Sequence, residues 1–205
     1  MHIIATADVP DSALISFTRE MAHDFEVQLP SGRVVLLSFE PPSWINLVAK
    51  PEWWQLGLTA IAAVYVAELT KEAAKATWKG LARIASTAAG RATKLSRMAA
   101  GLVKLKGQLA QHTEIVISLP QPNEYFGCKL ALSFSNLEEV EMQLALFVHH
   151  IPDLTMLIQR HEAEGVRAAT GYFLYLLDDG SLHAAWVDSE SLQNFEVVLQ
   201  LRSEV

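Results

Sequence analysis

Residues 171–187, GYFLYLLDDGSLHAAWV, contain two apolar runs separated by Asp-Asp-Gly. Asp-Gly between two runs of strand-forming residues is a strong short-range signal for a β-hairpin. This stretch therefore predicts two antiparallel strands near the carboxyl end of the chain. The tail at 194–201, NFEVVLQL, predicts one further strand, because adjacent valines favour extended structure.

A long amphipathic helix is predicted just before this hairpin, at about 136–164. Asn136 can cap its first turn, and Gly165 is suited to its end. Pro152 interrupts the pattern and predicts a kink or a restart. Apolar residues recur at helical spacing: they are Leu137, Val140, Leu144, Phe147, Ile151, Leu154 and Ile158.

Two further strand pairs are predicted towards the amino end. TEIVISLP (113–120) and CKLALSF (128–134) flank the loop QPNEYFG, and EVQLPSGRVVLLSF (26–39) contains two strand-like runs around Pro-Ser-Gly. Before them, HIIATAD (2–8) predicts a strand, and residues 11–25 predict a helix capped by Asp11 or Ser12. The order of elements predicts a single α+β domain over residues 1–205, with a mainly antiparallel sheet of three hairpins that helices cover on at least one face.

The longest helical region is predicted at about 52–111. Its uncharged window, 53–67, is fifteen residues long. At about 1.5 Å per residue it would extend roughly 22 Å, short of the roughly 30 Å hydrocarbon core of a bilayer. We therefore expect a buried helix here and no transmembrane span. Interior glycines predict that the region is broken near STAAGR (86–91), and it could form a helical subdomain.

The net charge of −7 is unevenly distributed. Residues 71–106 hold nine Lys and Arg against one acid, a balance of +8 that leaves −15 for the remainder. On a helical wheel the basic side chains lie opposite an alanine-rich apolar side, and we expect them to form a solvent-facing stripe that meets a partner. The alternative is that carboxylates of the same chain, such as Glu138, Glu139, Asp178 or Asp179, neutralise them. The stripe comprises Lys71, Lys75, Lys79, Arg83, Lys94, Arg97 and Lys104.

The stripe supports a nucleic acid or a membrane surface as the partner less well than it supports a protein. The acidic remainder of the chain would repel a polyanion, which disfavours nucleic acid. Peripheral membrane contact through residues 71–106 is an alternative hypothesis, although an alanine-rich side offers little apolar area for insertion into a bilayer.

No pattern of a known catalytic or cofactor-binding site occurs in the sequence. CxxC, P-loop, GxGxxG and GxSxG are absent, and RHEAEG (160–165) lacks the second histidine of HExxH. We therefore expect no cofactor and no metal, and we interpret the single cysteine, Cys128, as a buried apolar residue. The alternative is a small enzyme or metal-binding protein in which His149, Asp153 and His161 converge, since the first two stand at i and i+4 on a helix.

These observations favour binding over catalysis. A chain of 205 residues with 51% hydrophobic residues is typical of a compact globule. The leading hypothesis is a non-enzymatic protein that binds another macromolecule, as an immunity factor, an inhibitor or an accessory subunit. One cysteine and no recognisable signal segment predict a cytoplasmic location. The expected partner-binding residues are Tyr125 and Phe126 of the loop, together with Lys71, Lys75, Lys79, Arg83, Lys94 and Arg97.

Overall fold

The computed structural model describes residues 1–29, 43–48, 93–119 and 127–201. Within these ranges the protein forms an α+β fold, as predicted, with three helices and seven strands. The helices are α1 (Asp11–Met21), α2 (Thr93–Gly107) and α3 (Leu137–Glu164). The strands are β1 (His2–Ala5), β2 (Trp44–Val48), β3 (Glu114–Leu119), β4 (Cys128–Ala131), β5 (Tyr172–Leu176), β6 (Leu182–Val187) and β7 (Asn194–Leu199).

The seven strands form one open, mostly antiparallel sheet in the order β1 to β7. The pairs β2–β3 and β4–β5 are parallel, and the other four pairs are antiparallel. A parallel pair needs a long crossover, and the connections before β3 and β5 contain α2 and α3. Neither the parallel pairs nor strand β2 was predicted from the sequence.

Two of the three predicted hairpins correspond to antiparallel neighbours in this sheet. The pair predicted at 113–134 is β3–β4, and the Asp-Asp-Gly pair is β5–β6. Residues 30–39 of the hairpin predicted at 26–39 lie outside the described residues. At its described start, Gln28 forms a parallel bridge with His2 on the outer side of β1.

The helices pack on one face of the sheet. Helix α1 packs against α2, and α2 packs against α3. Alternate strand residues point towards these helices and are buried in one apolar core, which gives the main driving force for folding. Examples from successive strands are Ile3, Ile45, Ile117, Leu130, Leu174 and Ala184.

Helix α3 begins and ends where the sequence predicts. Asn136 accepts a hydrogen bond from the Glu139 backbone N–H at 2.8 Å, and Gly165 ends the helix with φ of 72°. The helix continues through Pro152, so the restart considered there does not occur. A kink at Pro152 stays a prediction.

Helix α1 corrects one prediction about its capping. Its N-cap position is Pro10, no side chain caps the helix, and Asp11 is already the first helical residue. Asp11 in the first turn still favours the helix through the helix dipole. Leu14 and Phe17 are buried, as their helical spacing predicts.

Helix α2 is the described part of the helical region predicted at 52–111. Residues 51–92, with the apolar window 53–67, lie outside the described residues, so the break near 86–91, the helical subdomain and the single domain remain predictions. No helix in the described part of the chain is both long enough and apolar enough to cross a membrane.

Candidate binding face

Side-chain alternation gives the sheet a second face with a different composition. In β2, Ile45 and Leu47 are buried under the helices, whereas Trp44, Asn46 and Val48 are only half-buried on the other side. The register carries this alternation across all seven strands. We call this side the open face, because none of the described helices packs on it. The side chains on the open face include Trp44, Asn46, Glu114, Val116, Lys129, Phe173, Tyr175, His183, Glu196 and Val198.

A shallow hollow of about 170 Å³ lies on the open face over β2, β3 and β4. The Oδ1 atom of Asn46 accepts a hydrogen bond from the Ser118 hydroxyl at 2.8 Å, which fixes the amide at its floor. Ligand pockets for small molecules usually enclose about 300–1,000 Å³. The hollow therefore suits one side chain of a partner better than a whole substrate. Its lining comprises Trp44, Asn46, Glu114, Val116 and Lys129.

A row of exposed apolar side chains continues from this hollow across β5 and β7. Lys129 is the register partner of Phe173, so the hollow and the row are contiguous. Phe173, Tyr175 and Val198 are 39%, 52% and 41% exposed. Large aromatic side chains that stay exposed on a rigid strand are the residues most often found at the centre of protein interfaces.

A His–Glu contact provides a polar element beside this row. His183 Nε2 lies 3.1 Å from Glu196 Oε2, without the alignment of a hydrogen bond. The His183 ring is also 6.2 Å from the ring of Tyr175, its register partner. The open face thus combines apolar anchors with groups of both charges, and it is not a uniformly charged surface.

A second polar cluster lies inside the core, on the opposite side of β5. His161 Nδ1 and the Tyr172 hydroxyl are hydrogen-bonded at 2.7 Å, and the Trp186 ring packs 4.8 Å from His161 and 5.4 Å from Tyr172. Cys128 is the register partner of Tyr172 and is buried, as predicted.

Burial keeps this core cluster uncharged at neutral pH. It raises the pKa of the Cys128 thiol to about 12 and raises the pKa of Tyr172 above its ordinary value. It also lowers the pKa of His161. Because a thiolate, and not a thiol, is the nucleophile in cysteine chemistry, Cys128 is suited to packing and not to nucleophilic attack.

The convergence of His149, Asp153 and His161 is wrong. His161 stands twelve residues after His149 on one continuous helix, a rise of roughly 18 Å. The side chain of His161 points inward to Tyr172. Among the described residues, no group of three His, Cys, Asp or Glu side chains could hold a metal ion. These three residues therefore do not form one site, and the enzyme alternative stays a prediction without them.

The basic stripe is paired within the chain where its side chains are described. Arg97 contacts Asp24 at 2.7 Å, and Lys104 contacts Glu20 at 2.7 Å. Both basic side chains are still about half exposed, at 50% for Arg97 and 57% for Lys104. They therefore face solvent and also contact acidic groups of the chain, and the binding of a partner by this stripe stays a prediction.

The other expected binding residues are not placed by the structure. Lys94 belongs to α2, but its side chain lies outside the described residues, as do Lys71, Lys75, Lys79 and Arg83. The loop pair Tyr125 and Phe126 also lies outside them. Peripheral membrane contact through residues 71–106 consequently remains a prediction.

Sequence reasoning missed the open face. Phe173 and Tyr175 stand two residues apart in β5, but the residues that alternate with them, Tyr172, Leu174 and Leu176, are aromatic or apolar as well. The pattern therefore could not say which side of the strand would be covered. Comparisons of the chain with protein-family models, with curated proteins and with solved structures give no match.

Proposed function

We propose that this chain is a non-enzymatic protein that binds a protein partner through the open face of its sheet. The observation that carries the proposal is the exposure of Phe173 and Tyr175 on a central strand, beside the hollow that Lys129 borders. Immunity factors, inhibitors and accessory subunits act through surfaces of this kind. A cytoplasmic location fits a chain whose one cysteine is buried and outside any disulfide.

The two aromatic anchors are held rigidly from below. Tyr172 and Leu174 alternate with them in β5 and are fully buried under α3. Because the backbone of β5 is already fixed, binding through Phe173 and Tyr175 costs side-chain freedom but little backbone freedom, which favours affinity. Truncation of such an anchor in an interface typically costs 2 kcal/mol or more, roughly a thirtyfold loss of affinity.

The charge of the open face argues for a protein partner. Lys129 and Glu114 line the same hollow, and Glu196 lies beside His183. A nucleic acid or an anionic membrane would favour a surface of one positive sign. Mixed charge around an apolar centre is the usual composition of a protein–protein interface.

The test is affinity capture of the tagged chain from its own cells, with identification of co-purifying proteins. We compare wild type with a Phe173→Ala/Tyr175→Ala double variant and with a matched control, Ile15→Ala/Met156→Ala. The control residues are similarly exposed apolar side chains, but they lie on α1 and α3. We expect a partner that the control retains and the double variant loses.

Capture that is equal in all three forms would contradict the proposal. Thermal unfolding of each form is measured in parallel. A double variant that unfolds at the wild-type temperature shows that the loss of partner comes from the surface and not from misfolding.

A further inference from the structure

The two edge strands of the sheet, β1 and β7, differ in whether another segment of the chain pairs with their outer side. The outer side of β1 is covered by the chain itself, because the Ile3 N–H donates to the Gln28 carbonyl at 3.2 Å and the Gln28 N–H donates to the Met1 carbonyl at 2.9 Å. The outer side of β7 has no such cover from any described residue. An unpaired strand edge is a template for pairing with another strand.

Strand β7 lacks most of the features that usually protect an edge. Natural proteins protect exposed edges with charged side chains, especially lysine, with proline, with bulges or with very short strands. Residues 189–201 contain no Lys, Arg, Pro or Gly, and six consecutive register pairs join β6 and β7 without a bulge. Leu192, Phe195 and Val198 are exposed along this strand and the turn before it. Glu196 is the one charged residue of β7, so the edge is regular and mostly apolar, and no described residue covers it.

The hydrogen-bond phase of β7 shows which backbone groups face outward. The Asp188 N–H donates to the Gln193 carbonyl at 2.9 Å, so Gln193 directs its backbone groups towards β6. Because this direction alternates along an antiparallel strand, Phe195, Val197 and Leu199 also bond towards β6. The N–H and C=O groups of the intervening residues point to the outer edge: these are Asn194, Glu196 and Val198.

We propose that β7 pairs antiparallel with β7 of a second copy of this chain, across a two-fold axis at Val197. In this register Glu196 faces Val198 of the other copy, both with outward backbone groups, and Phe195 faces Leu199. Every apolar side chain of the strand then gains a neighbour, and no carboxylate faces another. The adjacent register, centred on Glu196, would place two carboxylates opposite each other, which is unfavourable.

A second copy fits this edge because the strand is complementary to itself in that register. The contact is one strand pair, so it is smaller than the roughly 1,200–2,000 Å² of a stable interface. We therefore expect a dimer whose population rises with protein concentration. The pairing leaves the open faces of both copies on the same side of one continuous sheet, since a two-fold axis perpendicular to the sheet preserves its faces.

Sedimentation velocity over a range of concentrations tests the dimer. The wild-type mass is expected to rise from 22.6 kDa towards twice that value. Val198→Lys should remain at the monomer mass, because the lysine places a charge at the edge. Tyr175→Lys, on the same face but two strands inward, should dimerise as wild type does. A wild type that stays monomeric throughout, or a Val198→Lys variant that dimerises equally, would overturn the proposal.

Disulfide trapping tests the register independently of the equilibrium. Facing residues in a non-hydrogen-bonded antiparallel pair have Cα atoms about 4.5 Å apart, within disulfide range. Val197→Cys should therefore form a covalent dimer under mild oxidation. Leu199→Cys should not, because the two copies of that residue would lie about 13 Å apart. The opposite result, or no trapping at Val197, would exclude this pairing.

The dimer and the proposed partner binding can fail separately. Phe173→Ala/Tyr175→Ala should abolish partner capture and leave the dimer mass unchanged, because neither residue lies on β7. A chain that remains monomeric while Val198→Lys loses a different protein would show that another partner occupies the edge, and it would overturn pairing with a second copy.

Discussion

His161 Nδ1 and the Tyr172 hydroxyl oxygen lie 2.7 Å apart in the core, where they join α3 to β5. Tyr172 immediately precedes Phe173, which points to the opposite side of the same strand. The hydrogen bond therefore helps to hold the strand that presents the aromatic anchors. The position of the open face therefore depends partly on a polar contact buried on the other side of the sheet.

Tyr172→Phe should lower the free energy of unfolding by about 1–3 kcal/mol, because it leaves a buried imidazole nitrogen of His161 without its partner. Tyr175→Phe is the matched control. Its hydroxyl is on an exposed side chain, so its removal should change stability by less than about 0.5 kcal/mol. Urea unfolding measures both, and equal losses in the two variants would show that the His161 contact is not stabilising.

Acid should destabilise the fold through its buried histidines. His150 is fully buried, its Nε2 contacts the Gly180 carbonyl at 2.9 Å, and its Nδ1 has no hydrogen-bond partner among the described residues. Burial lowers the pKa of His150 and of His161 below their ordinary value of 6.5. Below about pH 6.5 the unfolded chain therefore binds more protons than the folded chain, so the free energy of unfolding should fall as the pH drops.

The variant His150→Gln separates this contribution from other effects of acid. Its amide can still donate to the Gly180 carbonyl but does not titrate. We expect urea unfolding of His150→Gln to depend less steeply on pH below about 6.5 than unfolding of wild type. Identical pH dependence in the two proteins would exclude His150 as a source of acid sensitivity.

The ion pairs that α2 forms with Glu20 of α1 and with Asp24, just after α1, should differ in their energetic value. Asp24 has a side chain only 6% exposed, so Arg97→Gln leaves a largely covered carboxylate without its cation. Glu20 and Lys104 are both more exposed, and such pairs contribute about 0–1 kcal/mol. We expect Arg97→Gln to destabilise the protein more than Lys104→Gln in thermal or urea unfolding. The reverse order would mean that solvent already screens the Arg97 pair.

Gly171 should tolerate substitution worse than Gly165. Both have positive φ, 76° and 72°, which costs an alanine about 1–2 kcal/mol. A Cβ at Gly165 would meet open space, whereas one at Gly171 would meet the backbone of Gly127. Gly171→Ala should therefore lose clearly more stability than Gly165→Ala, and similar losses would show that the Gly127 backbone moves aside at little cost.

Local signals predicted much of the fold. The Asp-Asp-Gly turn identified β5 and β6, and Asn136 and Gly165 marked the ends of α3, because turn and cap chemistry act over a few residues. The parallel pairing of Trp44–Val48 with Glu114–Leu119 was not predicted. It joins segments far apart in sequence, and nothing within either segment specifies its neighbour.

The candidate site could not be predicted in the same way. Phe173 and Lys129 belong to different strands and become neighbours only through the β4–β5 register. The helical wheel put Arg97 on the polar side of its helix, away from the core. Its pairing with Asp24, however, depends on how α1 packs against α2. Sequence periodicity indicates which face of an element is apolar, but it does not indicate which acidic groups a neighbouring element will supply.

Site-specific photo-crosslinking in the protein's own cells tests the central claim most directly. A benzophenone amino acid replaces Tyr175 on the open face in one form of the chain, and it replaces Met156, a similarly exposed residue of α3, in another. We expect a discrete crosslinked protein from the Tyr175 position and none from Met156. Crosslinks from Met156 alone, or equal crosslinks from both positions, would contradict binding through the open face.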